Sequence, residues 1–183
     1  MSSIPPWERL DIAAKELLHL QPAHHGTIHP TAVVEGVLEL GEGSVIKAGS
    51  VIDGHVRIGK NCSIGPNAYV RGTCEIGDNC IIGHAVEVKS SLIGNGVAIA
   101  HLSYVGDSVL EDDINIGGGC ILSNFRHDAA EIRMNWHGVL TPTHRNKLGA
   151  YIGSGARLGC NTTVLPGRCL PPGSRTYPGS VIS

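Results

Sequence analysis

The sequence predicts an all-β chain wound as a parallel β-helix, with a short helix at the N-terminus and one long loop breaking the winding. Three observations predict it. Aliphatic residues recur every six positions along most of the chain, and glycine often follows them. Aromatic residues are scarce: one Phe, two Trp and four Tyr among 183 residues, against 25 Gly. A core short of rings is filled by Ile, Leu, Val and small side chains, and a six-residue aliphatic period marks stacked β-coils.

Residues 1–27 stand outside the repeat. PPWERLDIAAKELLHL places two prolines at a helix start, then Leu10, Ala13, Ala14, Leu17 and Leu18 at helical spacing. The expectation is an amphipathic helix that caps the open end of the coil, as repeat proteins require. From 28 to 183 the chain reads as one β-helix domain. The period runs Ile28, Val34, Leu40, Ile46, Ile52, Ile58, Ile64, Val70, Ile76, Ile82, Val88. After a five-residue step it resumes at Ile93, Ile99 and Val105, and after a second at Leu110, Ile116 and Leu122. Beyond residues 125–147 it returns at Ile152, Leu158, Val164, Leu170, Thr176 and Ile182. Three six-residue faces close one triangular coil, so positions about 18 apart stack at the strand spacing of about 4.8 Å, giving about seven coils. Small residues, Cys62, Cys74, Cys80 and Cys120 among them, recur four positions after the aliphatic one and read as core fillers.

The break at 125–147 carries Arg126, His127, Trp136, His137, His144, Arg145 and Lys147. So long a polar excursion from so regular a scaffold points to function. Net charge is -2, which leaves no electrostatic footprint for nucleic acid or a membrane surface. No apolar run is long enough to span a bilayer. The N-terminus lacks a secretory pattern and no CxxC pair occurs, so reduced thiols in the cytoplasm are expected.

Coil arithmetic places a site. Val70, Val88, Val105 and Leu122 share one corner of four successive coils. Just past it Arg71 and Lys89 stack, and just before it Glu87 and Tyr104 stack. Asn124 lies two residues past it, where the excursion begins. Stacked cations repel, and a phosphate or carboxylate ligand gives a reason to keep them; the other reading is a basic edge balanced by solvent. On the neighbouring corner His101 lies below Gly118 of the Gly117–Gly119 run. Absent side chains there leave backbone N–H groups open and leave room for a flat acyl group. A lone strand histidine is commonly just solvated, but this one shares an edge with cations and a tyrosine, which points to a general base.

NAYVRG, AVEVKSSLIGNGVAIAHLSYVGD, INIGGGCILSNF and KLGAYIG resemble the acetyltransferase domain of the glucosamine-1-phosphate acetyltransferases, the long excursion being closest to their archaeal sugar-phosphate relatives. The resemblance covers about residues 28–180. It implies a left-handed coil, a homotrimer with the site between neighbours, acetyl-CoA as co-substrate, an amino-sugar 1-phosphate as acceptor and no metal requirement. It implies His101 as the base and Glu87 as the carboxylate that orients it. Arg71, Lys89, Tyr104, Asn115 and Lys147 fall on sugar-phosphate positions; Gly118, Asn124, Phe125, Cys160 and Pro178 fall on positions that touch acetyl-CoA. The 27-residue lead is too short for the family's nucleotidyltransferase domain, so acetyl transfer without uridylyl transfer is expected. A distal coenzyme-gripping arginine of the family has no direct counterpart; Arg168 and Arg175 are the candidates. Two other readings remain: a metalloenzyme like the γ-class carbonic anhydrases, for which His84 and His101 stack one coil apart without a third histidine, and a non-catalytic β-helix scaffold.

Overall fold

The computed structural model describes residues 3–183. The fold is a left-handed parallel β-helix flanked by one helix and one hairpin. Three columns of inward aliphatic side chains make its core. Ile28, Ile46, Ile64, Ile82, Ile99, Ile116 and Leu158 pair in register up the first face. Val34, Ile52, Val70, Val88, Val105, Leu122, Val164 and Ile182 do so on the second. Leu40, Ile58, Ile76, Ile93, Leu110, Ile152 and Leu170 form the third. The six-residue series of the sequence is thus the main column of each face, and residues two positions earlier, such as Leu38, Val56, Cys62 and Val86, are buried beside it. Most of these side chains are buried, and they form one continuous cluster.

The first face is a seven-stranded parallel sheet. The other two are joined by three eight-residue strands, Val33–Leu40, Val51–Ile58 and Tyr69–Ile76, that bend from the second face to the third without a break. They bend at the stacked glycines Gly36, Gly54 and Gly72, all with positive φ. A side chain on Gly54 would collide with the Gly72 carbonyl directly above it. Higher up, both five-residue steps fall at this same corner. There Ser90 and Asp107 take the left-handed conformation at φ 45°.

Buried serines and cysteines tie coils together through the core. Ser44 Oγ donates to the Gly59 carbonyl at 2.6 Å and accepts from the Cys62 amide at 2.8 Å. Cys62 and Cys80 repeat the arrangement, donating to the Gly77 and Gly94 carbonyls at 3.0 Å. All six thiols are free; Cys62, Cys74, Cys80 and Cys120 are buried as expected.

The helix forms where the spacing predicts it, at Pro6–Leu17, but it does not cap the coil. It lies along the third face. Trp7 and Leu10 pack with Val109, Leu148 and Tyr151, and the last turn brings Glu16 near Arg57. Twelve helical residues rise about 18 Å, the height of about four coils, which carries the chain down to the first coil. Strand pairing begins there at Ala23–His24, before residue 28. At that end Ile28 and Val34 stay only partly buried. The apolar stripe of the helix is thus matched to the outside of the third face.

The excursion also differs from the polar loop expected. Ile132–Trp136 and Val139–Arg145 form an antiparallel hairpin. His137 and Gly138 make its two-residue turn, both with positive φ, the geometry that matches strand twist. Ile132, Met134 and Trp136 alternate inward and pack on the same third face. No helix among the described residues is long and apolar enough to cross a membrane.

Because each core side chain is held in a fixed stack between coils, truncating one rung leaves a hole that its neighbours do not close. Ile46→Ala is expected to cost about 2–5 kcal/mol of unfolding free energy, whereas Lys47→Ala, next to it and exposed, is expected to change it by under about 0.5 kcal/mol. Guanidinium melts of the two variants check this.

Candidate active site

The second face carries the ridge that the spacing foresaw. Val88 and Val105 point inward, so their neighbours point outward by strand alternation. Asp53, Arg71 and Lys89 stack in one outward column; Tyr69, Glu87 and Tyr104 stack in the next. The two cations are not left to repel. Arg71 donates through Nε and Nη2 to Glu87 Oε1 at 2.8 and 2.7 Å, and its guanidinium lies 5.5 Å from the Tyr69 ring centre. Lys89 Nζ donates to Asp107 Oδ2 at 2.8 Å. Asn124 Nδ2 donates to the same oxygen at 2.5 Å. Asp107 is buried, held by its left-handed corner conformation between Lys89 and the start of the excursion.

Tyr104 lies across this group, over Gly106, where any side chain would strike its hydroxyl. Burial holds its pKa above the ordinary tyrosine value, with further upward push from the carboxylates of Asp107 and Glu87. The phenol therefore keeps its proton near neutral pH and serves as a hydrogen-bond donor. Above Asp107 a cavity of about 720 Å³ opens, walled by Glu131, His144, Arg145, Asn146 and Lys147. Lys147 is delivered there by the return limb of the excursion, bridged to Phe125 across its base.

His101 stands at the corner before the ridge, three residues ahead of Tyr104, exposed. Its imidazole has no hydrogen-bond partner among the described residues. Gly118 stacks directly over it, its missing side chain facing the His101 Cβ. Cys160 and Pro178 continue that column upward. The Gly118 N–H donates to no group among the described residues.

The geometry places four of the expected site residues apart from His101 and the Gly118 column. The Glu87 carboxylate accepts from Arg71, one coil down in the adjacent column, and makes no hydrogen bond to His101 among the described residues. Asn115 projects from the first face, between Ala98 and Arg157. Asn124 sits with the Lys89–Asp107 pair, away from the Gly118 column, while Phe125 lines a separate small cavity with His127 and Arg168. Asp107 is the residue the reading missed. The signal was present, since coil arithmetic puts it one position past Lys89's column and directly below Asn124.

His84 and His101 pair across adjacent coils, but among the described residues no group of three metal-ligating side chains occurs.

This scaffold is a hexapeptide-repeat β-helix. Residues 55–90 match the model of the bacterial transferase hexapeptide, six repeats. The chain is 40% identical over 179 residues to a bifunctional sugar-1-phosphate nucleotidylyltransferase/acetyltransferase of Sulfurisphaera tokodaii, taking in 97% of this chain and 45% of that protein. It is 46% identical over 162 residues to the bifunctional protein GlmU of Methanococcus maripaludis, taking in 88% of this chain and 39% of the relative. The chain thus spans less than half the length of these curated relatives. A Bacillus cereus crystal structure assigned as an acetyltransferase shares the fold at a TM-score of 0.53 and 19% identity, over 83% of this chain and 72% of that one. The chain carries the hexapeptide repeats of the bacterial transferases and resembles the acetyltransferase portion of the bifunctional sugar-1-phosphate enzymes.

The buried ion pair has a measurable consequence. Lys89→Met strands the Asp107 carboxylate with Asn124 alone and is expected to cost about 3 kcal/mol of stability. Adding Asp107→Asn is expected to return part of that loss, so denaturant melts of the two singles and the double should be strongly non-additive.

Proposed function

We propose that this chain is an acetyl-CoA-dependent N-acetyltransferase acting on an amino-sugar 1-phosphate, glucosamine 1-phosphate or a close relative of it. The observation that carries this reading is the ridge: Arg71 and Lys89 in register with Tyr104 in the adjacent column, one corner away from an exposed histidine that lies under a glycine shelf. The names of the bifunctional relatives, which pair sugar 1-phosphates with acetyl transfer, support it.

Arg71 and Lys89 bind the phosphate through donors that their carboxylate partners leave free; Tyr104 and Lys147 bind the sugar. The amine of the acceptor attacks the thioester carbonyl, and His101 takes the proton that the nitrogen sheds. The developing oxyanion is met by the open backbone N–H at Gly118. The carbon–sulfur bond then breaks, leaving the N-acetyl sugar and the coenzyme thiol. A thioester is already activated toward amines, so the step as written needs no metal. Asn124, Phe125, Cys160 and Pro178 are proposed contacts of the coenzyme, Asn124 acting from its place beside Asp107.

A homotrimer completes the site. Helix and hairpin cover the third face, whereas exposed Val33, Val45, Ile81, Leu102 and Ile121 lie on the first two faces and the corner between them. That corner holds His101, so its packing against a neighbour encloses the imidazole and brings it the contacts it lacks in one chain. Asn115, on the first face, reaches substrate in that arrangement from across the interface. Six free thiols and the nature of the co-substrate support a cytoplasmic setting.

Coenzyme release measured against a panel of amino-sugar phosphates and nucleotide-linked amino sugars tests the reading; a panel that yields no turnover anywhere overturns it. In the active pair, His101→Ala is expected to lower kcat about 10²–10⁴-fold while acetyl-CoA still raises the melting temperature. Arg71→Ala is expected to raise KM for the phosphorylated acceptor about 10-fold or more and to leave KM for acetyl-CoA unchanged.

A further inference from the structure

The hairpin and the last coils enclose a cavity of about 570 Å³ on the third face, across the Asp107 corner from the ridge. Its wall includes Trp136, His137, Tyr151, Arg168, Leu170 and Pro171. Two buried side-chain nitrogens among the described residues have no hydrogen-bond partner, Trp136 Nε1 and Arg168 Nε. Both belong to this one wall.

A buried donor left unpaired costs about 1–3 kcal/mol, so such groups call for a specific explanation. Packing supplies none here. Trp136 is only 8% exposed, wedged edge-on against Tyr151 at 5.2 Å and His137 at 4.6 Å between ring centres. Arg168 carries a permanent charge and forms no ion pair among the described residues. Indole and guanidinium nitrogens only donate, so the complement of this pair is an acceptor that brings negative charge. Around them the wall is flat and apolar: the Trp136 and Tyr151 rings, Leu170 and Pro171. The volume falls within the roughly 300–1,000 Å³ of small-molecule sites.

We propose that this cavity is a second ligand site, separate from the ridge, for a small oxyanion carried on a planar apolar group, held by Arg168 and the Trp136 indole. The anion is a carboxylate or a phosphate monoester, the two sharing the acceptor chemistry that these donors require. The rings and Leu170 take the apolar body.

The test follows the indole N–H resonances of ¹⁵N-labelled protein during titration with phenyl phosphate and, separately, benzoate. Inorganic phosphate and benzyl alcohol serve as controls for each half of the ligand. The expected result is a saturable downfield shift of the Trp136 resonance with an aryl anion, stronger than with either control, while Trp7 stays nearly still. Which aryl anion binds tighter identifies the headgroup. Arg168→Gln is expected to weaken binding about 10-fold or more, and Arg168→Lys to restore part of it. Should Arg168→Gln fail to fold, Trp136→Phe keeps a ring and removes the N–H, and calorimetry with the same probes is expected to show weakened binding. The proposal is overturned if neither aryl anion gives a saturable response up to about 20 mM, a concentration that would reveal even millimolar affinity. It is also overturned if folded Arg168→Gln binds like the parent. Displacement of the probe by saturating acetyl-CoA overturns it too, since the cavity would then belong to the acyl-donor site.

Discussion

Everything outside the coil is placed by what happens inside it. Each face sends a column of aliphatic side chains to the axis with a second, mostly smaller, column beside it, and each side chain must sit over the one below to bury its surface. A slip of one residue would turn that column outward and its polar neighbours inward. Register is therefore strongly held, and any outward residue is stacked over its counterpart in the next coil whatever its charge. Arg71 and Lys89 come together for this reason, without any attraction between them. The cost of that like-charge stacking is met diagonally. Glu87 lies one coil up from Arg71 in the adjacent column, and Asp107 one coil up from Lys89 at the next corner, so each cation finds a carboxylate within 3 Å.

The irregularities of the repeat concentrate at one corner, between the second and third faces. In the lower coils it is a glycine bend within a continuous strand; in the middle it loses one residue at each of two turns; above, the 125–147 excursion leaves and returns there, with the Leu148 amide bonded to the Asn124 carbonyl. Shortening the corner draws the second face tighter over the third and forces Ser90 and Asp107 into the left-handed region. Aspartate tolerates that region better than most residues, and there its carboxylate is aimed back at Lys89. The same corner receives the cavity lined by the excursion. A scaffold otherwise built for sameness is thus made specific at one edge.

The core and the ridge were legible because both follow from one period. Counting by six, with two steps of five, assigns the main inward column of each face and predicts the Arg71–Lys89 and Glu87–Tyr104 stacks without any other knowledge. The helix was legible as a helix but not in its position: its apolar stripe says that something is covered, and only the aliphatic exterior of the third face, at Leu92, Val109 and Tyr151, says what. The hairpin was hidden by the charged residues around it, although IRMNWHGVL carries the alternation and the turn dipeptide of one. Pairing partners were the least legible. Glu87 reaches Arg71 rather than His101 because side-chain length and rotamer, which the period does not encode, decide which of two neighbours a carboxylate meets. Asn115 was named by resemblance alone, and the period by itself puts it on the first face, one corner away from the ridge.

The two ion pairs are not equivalent, and the difference bears on how a ridge of balanced charge recognises an anion. Arg71 and Glu87 are each about one-third exposed, at 35% and 33% of their side-chain surface, while Lys89 and Asp107 are at 18% and 6%. Glu87 occupies only part of the guanidinium's five donors; Asp107 is fixed by Lys89, Asn124 and its own backbone. On the proposed reading, an incoming phosphate meets a guanidinium with free donors, and an ammonium whose remaining two hydrogens are already aimed by a buried carboxylate. No standing excess of positive charge is needed in the empty protein, which fits a chain of net charge -2. On that reading, selectivity for a dianion comes from donors held in position, the more exposed Glu87 yielding to the better acceptor while buried Asp107 keeps the lysine in place.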